Sequence, residues 1–200
     1  EPPAGVHKYE RDTTALLSAM GISGLGFSHW SGDISESNRE IEVLMNEDKN
    51  ITAEYEQNIY YVDGNSPAVS PDGRSWATAY RTLQEAVDRA AEDQGGEVWA
   101  ASGTYTSTSG SILVMKPNVA VYGGFSGNET ERDPRDREAH PTTLDGENTR
   151  ICVTGASDSM IDGFVLTRGY QGGGGSGVDL HSCYDMVIGN CTFINNIGYS

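Results

Sequence analysis

The apolar positions of this chain change style along its length, and the last quarter repeats itself. From Arg150 to Ser200, short apolar runs alternate with Gly, Asn, Asp and Ser, the pattern of short strands joined by tight turns. Shifted by 27 positions (178 − 151), Ile151-Cys152-Val153 falls on Val178-Asp179-Leu180, and Asp158 falls on Asp185. Met160-Ile161 then falls on Val187-Ile188, and Phe164-Val165-Leu166 on Cys191-Thr192-Phe193, with no gap needed. A self-similar period of this size marks a solenoid or array.

Upstream, Ile59-Tyr60-Tyr61-Val62-Asp63 reads as a strand entering a turn-rich loop. Leu83, Ala86, Val87 and Ala90 then form one apolar helical stripe. Thr82 with Glu85 makes a capping box, and Gly95-Gly96 ends the helix. Glu97 to Ala100 is a strand, Gly103-Thr104-Tyr105 a turn into the next, and Ile112–Val114 with Val119–Tyr122 a coil before the repeat. Ser126 to Thr142 is too charged to lie inside a coil, and its mixed signs predict a salt-bridged surface loop; Thr143 to Gly146 resumes a strand and ends in a turn.

The first 57 residues differ. Thr13 to Met20 reads as strand or short helix. Gly24–Asp33, Ile41–Met45 and Asn50–Tyr55 read as strands with turns at Ser31–Asp33 and Asn46–Lys49. The result is a small antiparallel β module whose core needs large anchors, here Phe27 and Trp30.

Charge narrows the partners. With 29 acidic and 13 basic residues the net charge is −16. That disfavours nucleic acid and an anionic membrane surface, and fits a soluble exported protein or acidic loops that hold Ca²⁺. No apolar run reaches membrane-spanning length, so membrane insertion is not expected. No signal peptide is visible, so the sequence reads as a mature form or a fragment. Of the three cysteines, Cys191 takes the register of Phe164 and reads as a small core side chain. The sequence leaves open a Cys152–Cys183 bridge between neighbouring coils.

Candidate chemistry is sparse. Asp158 and Asp185 occupy equivalent positions in successive coils, where they form either a Ca²⁺ site, an acid pair, or turn residues capping backbone N–H groups. Asp63, Asn65 and Asp72 in the entry loop, and Asp145 with Glu147, are further Ca²⁺ candidates, at spacings that match no standard Ca²⁺ motif. Arg168, just after a strand and matching Asn195, and His181, matching Thr154, are the candidate catalytic groups. Each stands alone, and a lone Arg or His on a coil is more often a surface group. The run Gly172 to Gly177 lacks the Lys-Ser/Thr of a phosphate loop and reads as a crossing between coils. Asn195-Asn196 suits a turn, where Asn tolerates left-handed geometry and can stack in ladders.

Two resemblances bear on this. Phe27, Trp30, Gly32, Asp33, Asp48, Lys49, Ile51, Thr52, Ala53 and Tyr55 sit in a stretch, residues 9–57, that resembles the internalin-type B-repeat of bacterial surface proteins. The resemblance implies a β-grasp-like spacer without catalysis. The run TLQEAVDRA…GGEVWAASGTY, with the flanking YVDGNSPAVSPDGRSWATAY and VAVYGGFSGNETERDPRDREAHPTTLDGEN, resembles the start of the pectate-lyase-like right-handed parallel β-helix superfamily. It covers residues 59–200, and the flanking runs resemble those of secreted or surface bacterial β-helix repeat proteins. That implies a helix covering the open end of a solenoid.

The expected architecture is therefore mainly β: a β-grasp-like module over 1–57, then the helix-capped first coils of a right-handed parallel β-helix over 58–200. The expected role is an exported, cell-surface or extracellular structural or adhesive protein of a bacterium. Its partners would be neighbouring subunits, the rest of a longer solenoid, or extracellular polysaccharide. A polysaccharide lyase or other carbohydrate-active enzyme is the alternative, and it rests on superfamily resemblance alone. No cofactor is required apart from the candidate Ca²⁺.

Overall fold

The computed structural model describes residues 5–22, 24–172 and 176–199; Gly173, Gly174 and Gly175 of the expected crossing lie outside them. The chain opens with four strands, β1 (Thr13–Ser18), β2 (Gly26–Gly32), β3 (Glu40–Met45) and β4 (Ile51–Glu56). Thr13 to Ser18 is thus strand rather than helix. β1 pairs antiparallel with β3, and β2 with β4. Phe27, Trp30, Ile41, Val43 and Ala19 meet between the two ribbons, with the Phe27 and Trp30 rings edge-on at 5.7 Å. The buried indole is satisfied by donating to the Asn38 carbonyl at 3.0 Å. The expected β-grasp arrangement needs correction in one respect. No helix occurs among the described residues before β4 ends, so the ribbons seal each other's apolar faces.

From Ile59 onward every strand pair is parallel. β5 (Ile59–Val62) leads through a single turn of 3-10 helix (Trp76–Thr78) to helix α1 (Leu83–Glu92). Then follow β6 (Gly96–Ala101), β7 (Gly103–Tyr105), β8 (Leu113–Val114), β9 (Val119–Phe125), β10 (Thr142–Asp145), β11 (Val153–Thr154), β12 (Met160–Asp162) and β13 (Phe164–Thr167). The series closes with β14 (Tyr170–Gly172), β15 (Val178–Asp179), β16 (Val187–Gly189), β17 (Thr192–Ile194) and β18 (Ile197–Tyr199). They sort into four parallel sheets, β5-β6-β9-β12-β16, β7-β10-β13-β17, β8-β11-β15 and β14-β18. Neighbours in a sheet are never consecutive in the chain, apart from β5 and β6, which α1 separates.

Parallel pairing lines side chains up in columns. Tyr60, Val98, Val121, Ile161 and Ile188 share one height across the first sheet. Tyr105, Leu144, Leu166 and Phe193 do so in the second, and Leu113, Val153 and Val178 in the third. These columns form the main core, into which α1 presses Leu83, Ala86, Val87 and Ala90. The Thr82 hydroxyl and Glu85 carboxylate complete the capping box that starts α1. Gln94 (φ 64°) and Gly95 (φ 130°) end it in left-handed geometry. A Cβ on Gly95 would lie 2.4 Å from the Leu25 carbonyl oxygen, so this turn is also where the first four strands dock.

The corners are aligned as well. Asn118, Asp158 and Asp185, one above the other, all have left-handed φ of 54–64°. Asn118 donates its N–H to the Asp158 carbonyl at 2.9 Å, and Asp158 to that of Tyr184 at 3.0 Å. Gly163 with Asn190, and Arg168 with Asn195, repeat the device. The 27-residue offset holds for β12–β16, β13–β17 and β14–β18. It fails for β11–β15, where Val153 faces Val178 and the offset is 25 (178 − 153). The second turn spends two more residues between Asp179 and Val187 than the first does between Thr154 and Met160. Thr154 therefore matches Asp179, not His181.

Ile161 is fully buried at the centre of its column, whereas Ile188 at its end is 36% exposed. Ile161→Ala should cost about 3 kcal/mol in urea unfolding and Ile188→Ala about 1 kcal/mol. Equal losses would contradict this difference in burial.

Candidate functional site

Strands β6 and β9 are buried at every position, because their second face is covered too. On that outer face Trp99, Ala120, Tyr122 and Phe125 form a separate cluster, flanked by Ile59, Tyr61, Trp76 and Met160. Trp99 stacks on Phe125 at 4.9 Å, 10° from parallel. Over the cluster lies the charged excursion between β9 and β10. The expected salt bridges form, but mainly between the arginines of the excursion and two carboxylates of the sheet, while Glu129 and Asp136 accept backbone N–H groups.

Glu97 on β6 is 4% exposed. One of its oxygens accepts from Arg132 at 2.7 Å and the other from the Trp99 indole at 2.7 Å. Asp162 on β12, also 4% exposed, is held by Arg135, with Arg137 at 3.7 Å, and accepts from the Asn190 amide at 2.6 Å. Arg132 and Arg135 lie over the ring of Tyr122, at 4.8 Å and 4.9 Å from its centroid. Burial raises the Tyr122 hydroxyl above its usual range, with Glu97 adding to the rise. All four carboxylate oxygens of this face thus have donors. Each acid is charge-neutralised where it sits, an arrangement that fastens a loop and does not leave an acid–base pair facing a substrate.

Sequence reasoning missed Glu97 and Asp162. The signal was present: Glu97 and Trp99 share the outer parity of one strand, and an Arg-rich excursion follows. A charged residue beside Trp on a fully apolar strand calls for a cation from elsewhere.

The sequence-derived candidates fall elsewhere. Arg168 and Asp145 come together: the Arg168 Nε donates to Asp145 at 2.8 Å, and a second guanidinium nitrogen binds the other oxygen. That contact holds the Asp145 carboxyl below its usual range. Glu147 pairs with Arg150 at 2.8 Å. Asp63 accepts from the Asn65 N–H and Asp72 from the Arg74 N–H, both as turn caps. Asp158 and Asp185 are exposed corner residues in register, and His181 is exposed on a turn closed by Asp179. His29 is exposed too, its Nδ1 3.1 Å from the Ser28 hydroxyl. Among the described residues no three His, Cys, Asp or Glu side chains converge as a metal-holding group.

The cysteines are unbridged, which corrects the Cys152–Cys183 alternative. The Cys152 sulfur lies against the Leu144 and Thr167 carbonyls inside the core, and burial pushes its thiol up to about 11. Cys183 sits on a half-exposed turn. Cys191 does take the register of Phe164 and packs against the main core, half-buried. Asn196 forms no ladder with another Asn; its amide bridges the Gly169 N–H and the Leu166 carbonyl of the preceding turn.

Removing Arg135 leaves a buried carboxylate short of its nearest cation. Arg135→Met should lower stability by about 3 kcal/mol. Adding Asp162→Asn should restore most of it, as read by urea unfolding and by proteolysis within residues 126–141. A fully stable Arg135→Met protein would refute the clamp. A second expectation concerns acid. Because Asp145 has a lower pKa folded than unfolded, its pair with Arg168 stabilises the fold above about pH 4. That contribution is lost as pH falls through the lowered value. Arg168→Met should therefore show a shallower loss of stability below pH 4 than the wild type; parallel curves would exclude the linkage.

With the geometry in place, comparison with known proteins adds one finding. Residues 4–59 match the family model of the divergent InlB B-repeat domain, a stretch that takes in β1 to β4 and ends at the first residue of β5. No curated protein and no solved structure matches the chain. The B-repeat resemblance of the opening module is thereby supported, and it points to a bacterial surface-associated repeat protein.

Proposed function

We propose that residues 58–200 wind as the first coils of a right-handed parallel β-helix, set behind a B-repeat module over 1–57. In this reading the protein is an exported cell-surface component with a structural or adhesive role, and it has no catalytic site of its own. The observation that carries the reading is the gradient of exposure along the columns. Val98, Val121 and Ile161 are fully buried but Ile188 is 36% exposed; Leu144 and Leu166 are fully buried but Phe193 is 50% exposed. Val187, Ile194, Ile197 and Leu180 join them at 44–50% exposed. Such an end is what one turn of a stacked array offers to the next, with free strand edges and apolar side chains together.

At the opposite end α1 covers the core, so growth is favoured in one direction only. In this reading the turn that covers the exposed end is supplied by a neighbouring subunit. Against an enzyme stands the state of the buried acids, since Glu97 and Asp162 are saturated by Arg132 and Arg135. The module match supports a surface location.

Light scattering after size exclusion, with electron microscopy, tests this on the 200-residue chain. The wild type should associate in a concentration-dependent way, and Ile188→Lys with Phe193→Lys should be a folded monomer. A wild type that stays monomeric overturns the open-end reading. Unsaturated product released from a panel of acidic polysaccharides would overturn the non-enzymatic one.

A further inference from the structure

A second free edge lies in the opening module. β3 pairs only with β1 among the described residues. Arg39 and Met45, flanking and ending β3, give their carbonyls to Ala19 and Asp12 on the β1 side. By the alternation of an antiparallel ladder, Glu40, Glu42 and Leu44 then direct their N–H and C=O groups to the opposite edge. Beside that edge runs an open groove of about 650 Å³, bounded across by Ile34, Glu36 and Asn38 and closed at one end by Asn46 and Lys49. The far wall is fixed, because Glu36 accepts the Trp30 N–H at 2.7 Å and Asn38 the Trp30 indole.

The chemistry of this groove selects its occupant. Glu36, Glu40 and Glu42 are exposed and line it, while Leu44, 51% exposed, and half-buried Ile34 supply apolar surface. Lys49, the one cation of the lining, is directed to Glu47 at 3.2 Å. Glu40 and Glu42 are two residues apart, hence on one face of the ribbon and spaced like alternate residues of an added strand. We propose that the β3 edge is a docking site for an extended basic segment of another protein, which adds as a third strand. Its lysines or arginines at alternate positions oppose Glu40 and Glu42 on the face that also carries Leu44, and its intervening side chains fall on the apolar face of Ile41, Val43 and Ile34. A second copy of this chain is a poor occupant, since each copy carries a net charge of −16. Main-chain hydrogen bonds hold the segment and the carboxylates set its register and sign.

The test uses a labelled peptide, Lys-Thr-Lys-Val-Lys-Thr-Lys, titrated into the 200-residue chain. Fluorescence anisotropy reads affinity, and amide NMR shifts locate the site. Binding tighter than about 1 mM is expected, with shifts concentrated on Glu40, Glu42 and Leu44. Glu40→Lys with Glu42→Lys, both exposed positions, should weaken it about tenfold or more. The same variant should gain affinity for the peptide with Glu in place of Lys. Three results overturn the proposal: no binding, equal binding of a peptide with its lysines clustered, or shifts away from β3. In each of those cases the glutamates serve only to guard a bare edge against aggregation.

Discussion

Everything beyond Ile59 depends on parallel pairing that keeps apolar side chains at one height. In the column Tyr60–Val98–Val121–Ile161–Ile188, the inner members Val98, Val121 and Ile161 are buried by the neighbours above and below them. A parallel strand buried in this way can be very short, and β8, β11 and β15 have two residues each. Strands of that length have no stability alone. They persist because the stack supplies both edges and the core supplies the face. The corners obey the same constraint, since left-handed residues at Asn118, Asp158 and Asp185 turn the chain at one point in each successive layer.

The outer face shows what happens where apolar stacking and charge meet. Trp99, Tyr122 and Phe125 would leave a large aromatic patch on the sheet if the excursion between β9 and β10 were not laid over it. Covering the patch buries Glu97 and Asp162, and a buried carboxylate needs a cation with several donors in fixed directions. Arginine meets that need, and Arg132 and Arg135 also sit over the Tyr122 ring. The positively charged groups that a sequence reader would scan for ligand binding are therefore engaged inside the fold. Arg168 is spent in the same way on Asp145.

Much of this was legible in the sequence, for physical reasons that also mark where legibility ends. The α1 stripe and its capping box are local patterns, and both formed as written. The 27-residue offset was readable wherever a column fixed the spacing, at Met160 and Val187 or Val165 and Thr192. It misled at Val153, because the turn after β15 is two residues longer and no side chain in a turn is bound to a column. His181 was displaced from its supposed equivalent by that slip. Cys152 and Cys183 fell near each other in linear reckoning, yet one sulfur faces the core and the other a surface turn. Glu97 and Arg132 are 35 residues apart and join elements of different kinds, so no periodicity connects them. The opening module was legible through its large anchors, Phe27 and Trp30, while the absence of a helix in its described part was not.

The charge distribution ties these parts together. Nine of the 13 basic residues sit in ion pairs, and Arg39 and Arg81 donate to backbone carbonyls. Positive charge is consumed in holding loops and turns, so the surplus of acid falls on the surface. An acidic surface repels other copies at a distance and keeps them soluble. Any close contact between copies needs a patch whose apolar gain exceeds that repulsion, and the described residues expose apolar side chains together at the end rung around Ile188 and Phe193. The β3 edge is the converse case, with little apolar area and carboxylates at alternate positions. The two surfaces differ in chemistry, one apolar and one acidic, so partners suited to one are poorly suited to the other.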